Sequence, residues 1–126
     1  MPQTRVVFFQ EANGEAPVAG WLRQLMRTID RAWANCRARI EQLAQTGHEL
    51  RPPAADYLRD GIYELRAKQG QVQYRLLYFF HGRQVAILAH GLTKEDKVPA
   101  ADIERAIKRK RQFEKNPKAH TYESDD

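Results

Sequence analysis

Apolar residues along the chain follow two rhythms. Arg5-Val6-Val7-Phe8-Phe9 is short, β-branched and aromatic, and predicts a strand. Asn13-Gly14 marks a turn, and Pro17 suits the first turn of a helix. Val18, Trp21, Leu22, Leu25, Met26 and Ile29 then recur at three- and four-residue spacing, which makes one apolar stripe. A second stripe, Trp33, Cys36, Ile40, Leu43 and Ala44, is closed by Gly47, a fitting helix C-cap. Thr28 or Asp30 can cap the second helix, so two helices are expected rather than one, with both tryptophans packed in the core. Pro52-Pro53 ends helical possibilities and opens a linker. Three strand-like runs follow, Ile62 to Lys68, Gln73 to Phe80 and Gln84 to His90, and Gly70 and Gly82 punctuate them as two hairpins. Thr93 to Val98 reads as a polar loop. Pro99 opens a last helix with Ile103, Ala106, Ile107 and Phe113 on one side, and Asn116-Pro117 stops it.

The order β-α-α-β-β-β-α predicts an α+β fold. A small antiparallel, mostly meander sheet carries its helices on one face, as an N-terminal helical hairpin and a C-terminal helix. Residues 1–116 read as a single domain, and residues 117–126 as a polar, loose tail.

Side chains alternate across a strand, so hairpin loops decide which residues share a face. In the first hairpin a two-residue loop pairs Gln69 with Val72, and a four-residue loop pairs Lys68 with Gln73; both put Arg66 opposite Arg75. In the second, two-residue loops at His81-Gly82 or Gly82-Arg83 put His90 on the Arg75 face, opposite Gln73 or Arg75. One sheet face is then apolar and aromatic, with Tyr63, Leu65 and Ala67, then Tyr74, Leu76, Tyr78 and Phe80, then Val85, Ile87 and Ala89. The other is split. Ile62, Leu77, Phe79 and Leu88 make an apolar end that needs cover, from the last helix or from a partner segment. Arg66, Lys68, Arg75 and His90 gather at the opposite end, with Glu64 beside them.

At 126 residues, with 42% hydrophobic and 29% charged residues, the make-up is that of one ordinary globular domain. A single cysteine, Cys36, rules out an intrachain disulfide and a cysteine-rich metal site, and it reads as a small core residue. His48, His81, His90 and His120 have no ligand-like spacing, and the first, second and fourth read as surface residues. The apolar runs are too short to span a membrane, and residues 1–5 lack the apolar stretch of a signal peptide, so a cytoplasmic protein is expected. The charge is uneven. Arg59 to Lys115 holds 13 basic and 7 acidic residues, a net of +6, out of +5 for the whole chain. A basic half points to a polyanionic partner.

Two arginines facing each other across a sheet repel unless an anion neutralises them. Their guanidinium geometry suits phosphate. The competing reading has Glu64 pair with one arginine while the other cations point into water. Lys94 and Lys97 follow the third strand and reach the same end. Lys108-Arg109-Lys110-Arg111 points all round the last helix and offers contact to a phosphate backbone.

Leu58-Arg59-Asp60-Gly61-Ile62-Tyr63-Glu64-Leu65-Arg66, then Tyr74-Arg75-Leu76-Leu77-Tyr78-Phe79-Phe80, resembles the toxins of the RelE/ParE superfamily. So does Ala89-His90-Gly91-Leu92-Thr93-Lys94-Glu95-Asp96-Lys97-Val98-Pro99 leading into a final helix, and the set is closest to the phage-derived HigB-type group. The resemblance implies a toxin of a type II toxin–antitoxin pair. Many such proteins cut mRNA in the ribosomal A site without a metal or cofactor. There the 2′-OH attacks the adjacent phosphate to give a 2′,3′-cyclic phosphate.

It further implies that Arg66, Arg75 and Lys94 serve the phosphate; Lys68, Lys97, Lys108, Arg109 and Arg111, by their positions and charge, are the expected RNA- or ribosome-binding cations. A cognate antitoxin, often with a helix-turn-helix, is the implied partner alongside ribosome and mRNA. Glu64 stands where RelE has a lysine, and the tyrosine of RelE's last helix has no counterpart, since Pro99 and Ala100 lie there. His90 remains as the proton-transfer candidate, set against a structural histidine at a strand end. The alternatives are a ParE-like, non-enzymatic inhibitor of DNA gyrase and an inactive antitoxin- or nucleic-acid-binding module.

Overall fold

The computed structural model describes residues 3–94 and 96–123. Strand β1 (Arg5–Phe9) is followed by helices α1 (Pro17–Thr28) and α2 (Asp30–Thr46), then by strands β2 (Ala55–Arg59), β3 (Ile62–Gln69), β4 (Val72–His81) and β5 (Val85–Thr93). Helix α3 (Ala100–Lys115), a 3-10 turn (Pro117–His120) and strand β6 (Thr121–Tyr122) complete the order. Pro17 opens α1, Ile29 breaks the helical backbone with φ −142°, and Gly47 closes α2, so the two predicted helices meet at a one-residue corner. Neither Thr28 nor Asp30 caps α2 through its side chain. Met26 and Ile29, part of the predicted stripe, are exposed where α1 runs out at that corner.

The six strands are ordered β2-β3-β4-β5-β1-β6. All neighbours are antiparallel except β1 and β5, which run parallel with Arg5 beside Val85 and Phe8 beside Leu88. The sheet is covered on both faces, which corrects the expectation of helices on one face. On one side α1 and α2 bury Leu65, Ala67, Tyr74, Leu76, Tyr78, Ala86 and Leu88 with Leu22, Leu25, Cys36 and Leu43. On the other, α3 lays Ile103, Ala106, Ile107 and Phe113 over Ile62, Leu77, Phe79, Ile87 and Ala89. The apolar end of the split face is therefore covered by the chain's own last helix.

The first hairpin has the predicted register, with Gln69 opposite Val72 and Arg66 opposite Arg75. The second does not. His81 pairs with Val85 across a three-residue loop, and a register shift between Leu77 and Tyr78 then sets His90 opposite Leu77. The odd loop turns Val85 and Ile87 toward α3 and Ala86 and Leu88 toward α1 and α2, the reverse of the expected faces. The bulge adds a residue at Ala89 and restores the parity, so His90 regains the Arg75 face at a position further from the Arg66–Arg75 pair.

Strand β2 lies in what reads from sequence as a linker. Its signal is Asp60-Gly61, both at positive φ (52° and 81°), the two-residue turn that joins β2 to β3. Trp21 packs on Gly91, where a Cβ would sit 2.7 Å from Trp21 Cε3. Residues 117–123, read as loose tail, take defined structure. Tyr122 pairs with Phe8, His120 stacks on Phe9 at 5.2 Å and meets the Gln10 carbonyl oxygen at 2.7 Å, and Glu123 pairs with Arg5. The reason is an open strand edge at β1 that the returning chain can pair with. Residues 124–126 of the predicted tail lie outside the described residues.

Candidate functional site

Strand register sorts the α3 face of β3, β4 and β5 into rows. Glu64, Leu77 and His90 form one, with Asp56 of β2 beside Glu64. The next is Arg66, Arg75 and Leu92. The last is Lys68 and Gln73 with Lys94, whose backbone N–H donates to the Gln73 carbonyl at 3.1 Å and continues the pairing past Thr93. Helix α3 covers the first row, and the last two lie at the sheet's end, where the chain leaves β5.

Two arginines do converge there, but on a carboxylate from within the chain. Glu64, 4% exposed, takes Arg75 Nη1 on one oxygen and Arg66 Nη2, at 3.0 Å, on the other. Asp56 adds a second acceptor to Arg66 Nη2 at 3.2 Å. The competing expectation, Glu64 on one arginine only, thus gives way to Glu64 on both. Arg75 is 8% exposed and fully engaged: Nη2 donates to the Asp96 carbonyl at 2.8 Å and Nε to the Lys94 carbonyl at 3.3 Å. One buried guanidinium therefore pins the β5–α3 loop to the sheet. Arg66 keeps an open side, with 29% of its side chain exposed. Its guanidinium is held firmly protonated, first by the Glu64 hydrogen bond and then by the charges of Glu64 and Asp56, against its partial burial. Four formal charges, Arg66 and Arg75 against Glu64 and Asp56, cancel. The remaining cations of this end are Lys68, Lys94 and Lys97, which are exposed and form no ion pair among the described residues, and the exposed carboxylate of Asp96 lies in the same loop as the last two.

His90 stands one row inside, with Nε2 2.6 Å from Asp102 Oδ1 in the first turn of α3. Burial is the largest influence and pulls its pKa below 6.5. The Asp102 hydrogen bond opposes this, and the charges of Arg109 and Arg105 add to it. A neutral ring bound to that carboxylate carries its proton on Nε2 and leaves Nδ1 basic.

The basic run on α3 separates into different environments. Arg109 turns inward, donating to the Ala89 carbonyl at 2.6 Å, pairing with Glu11 at 3.3 Å and lying over the Phe9 ring. Burial lowers its pKa, and Glu11 opposes that shift. Lys110 pairs with Glu114 at 2.9 Å. Lys108 and Arg111 face solvent. The structure thus gathers Arg66, Arg75, Lys68 and Lys94 at one end of the sheet, sets His90 under α3, and leaves Arg109 in an internal ion pair.

Sequence reasoning missed the central place of Glu64. The signal was present: it alternates with Arg66 on one strand and faces the same side. Cys36 is buried, and desolvation pushes its thiol pKa up to about 12, as befits a core residue. Among the described residues no helix is long and apolar enough to cross a membrane.

A family model described as Phage derived protein Gp49-like (DUF891) matches residues 21–111, from the middle of α1 through most of α3. No curated protein matches the chain.

Proposed function

The chain belongs to the Gp49-like family of phage-derived proteins, a RelE/HigB-type toxin family, and on that premise we propose that it is the toxin of a type II toxin–antitoxin pair that stops translation by cutting mRNA on the ribosome. The family implies an antitoxin partner, which in this reading is a helix-turn-helix protein. The reaction is a metal-independent transesterification. The 2′-oxygen attacks the adjacent phosphorus, the bond to the 5′-oxygen breaks, and the products are a 2′,3′-cyclic phosphate and a 5′-hydroxyl end.

The observation that carries the reading is the open side of Arg66 beside Lys68 and Lys94 at one uncovered end of the sheet. Fixed cations aimed at a phosphate stabilise the charge that builds on it in the transition state. Arg66 and Lys94 grip the scissile phosphate, and Lys68 and Lys97 hold its neighbours. Arg75 acts through Glu64 and through the loop that carries Lys94, and positions rather than touches. His90, held neutral and oriented by Asp102, takes the 2′-OH proton on Nδ1.

Induced expression in a bacterial host tests this. The wild type arrests growth, primer extension maps cuts within translated codons, and Arg66→Ala or Lys94→Ala restores growth and removes the cuts. Full toxicity of both variants refutes the site. DNA-damage signalling before loss of pulse-labelled protein synthesis refutes mRNA cleavage and favours a gyrase inhibitor.

A further inference from the structure

We propose that Arg109 of α3 is a positioning residue for His90: its guanidinium, braced from behind by Glu11, holds the backbone of the β5 bulge and so fixes where the His90 ring points. This rests on the proposed function in taking His90 as the group that receives the 2′-OH proton. Ala89 is the extra residue of the bulge, since β4 pairs Leu77 with His90 and Tyr78 with Leu88. An extra residue falls out of the regular ladder, so its carbonyl calls for a donor from elsewhere. Arg109 Nη1 supplies one at 2.6 Å, on the peptide that joins Ala89 to His90.

The guanidinium is itself fixed. Nη2 meets a Glu11 carboxylate oxygen at 3.3 Å, and the group lies over the Phe9 ring, 5.7 Å from its centroid. Glu11 sits on a closed turn: its N–H donates to the Glu15 carbonyl at 2.7 Å, and its carbonyl accepts from the Gly14 N–H at 2.9 Å. A planar fork offers one nitrogen to β5 and another to this turn, a fixed geometry that a lysine's single nitrogen does not reproduce. Asp102 and Arg109 are seven residues apart on α3, about two turns, and so face the same way. One holds the His90 ring at Nε2, and the other holds the backbone behind it.

Position and charge act together. The charged groups that bear on the ring are Asp102, Arg109 and Arg105, all from α3. Along its own row Leu77 stands between His90 and Glu64, which Arg66 and Arg75 already hold. Burial does most to keep the ring neutral, Asp102 opposes it, and the charges of Arg109 and Arg105 assist it. A general base must be unprotonated and within hydrogen-bond reach of the proton it takes. Arg109 serves both needs without touching RNA, which reverses the RNA-binding role its place in the basic run suggests.

The test combines NMR titration of the His90 ring in the full chain with single-turnover mRNA cleavage on programmed ribosomes. Arg109→Met removes both fork and charge. It is expected to shift the His90 ring resonances and raise their titration midpoint. Cleavage at saturating toxin should slow about 100-fold, the scale of an approximately 1 Å misplacement, with the half-saturating concentration unchanged. Arg109→Lys restores the charge alone, so the midpoint returns to the wild-type value while the rate stays low. Should Arg109→Met not fold, Glu11→Gln carries the test from a partly exposed position. It leaves the Arg109 charge unopposed, and the midpoint should fall.

A His90 ring that titrates in Arg109→Met or in Glu11→Gln as it does in the wild type overturns the positioning role. So does a loss carried by the half-saturating concentration, which marks Arg109 as an RNA contact. Full rescue by Arg109→Lys does the same, since it leaves no part for the fork. Failure of the proposed function looks different: His90→Gln cutting at the wild-type rate removes the base, while the displaced ring signals of Arg109→Met still show the brace.

Discussion

Replacing Glu64 by Gln keeps the shape of the side chain and removes its charge. The site is nearly solvent-free: Glu64 is 4% exposed and Arg75 8%. Arg75 would keep its two loop carbonyls and lose the one carboxylate it pairs with among the described residues, leaving a buried cation without that counter-charge. Breaking a buried pair from one side costs about 3–5 kcal/mol, because the partner's desolvation is no longer offset. Arg66, more open and still paired with Asp56, adds little. The expected loss is therefore about 3 kcal/mol, a large part of the 5–15 kcal/mol typical of a domain. For a chain of this length that lowers Tm by roughly 12 °C.

Urea unfolding followed by the fluorescence of Trp21 and Trp33 reads the difference directly. A cycle with Arg75→Gln isolates the pair, and the double variant should fall short of additivity by about 2 kcal/mol. A cost for Glu64→Gln below about 1 kcal/mol, or strict additivity, would refute the view that this carboxylate holds the end of the sheet together.

Two further outcomes follow from other parts of the molecule. Gly91→Ala places a methyl group 2.7 Å from Trp21 Cε3, and overpacking there should cost about 1–3 kcal/mol with a changed near-UV signal from Trp21; an unperturbed melt and spectrum would show that α1 yields freely. The His90 pKa lies below its unfolded value of 6.5, so the unfolded state binds more protons in that range. Its contribution is complete above pH 6.5 and is lost as pH falls toward the folded value; wild-type urea unfolding should weaken below pH 6.5 more steeply than that of His90→Gln, and parallel pH profiles would contradict the assignment.

Local chemistry made much of this fold legible. The helix stripes, the division into two helices and the first hairpin depended on near neighbours, and an even-numbered loop of two or four residues sets Arg66 opposite Arg75, as observed. The second hairpin was harder because parity there depends on a three-residue loop and a compensating bulge, two irregularities that cancel for His90 but not for Val85 to Leu88. Strand β2 is short and polar, and only its pairing with β3 makes it a strand. The candidate site was half legible. Strand alternation brought the cations to one face. That Glu64 would satisfy both arginines, and Asp96 and Lys94 offer carbonyls to Arg75, depends on how the chain after β5 folds back, which no spacing encodes.

The second core, beneath α3, has a consequence for how the protein is born. Ile62, Leu77, Phe79 and Ile87 are all synthesised by the end of β5, whereas Phe113 comes 20 residues after Thr93. At about 5–20 residues per second, a growing chain carries that greasy surface bare for roughly 1–4 seconds before its lid is made. During that interval any amphipathic helix at hand competes with α3 for the same seat.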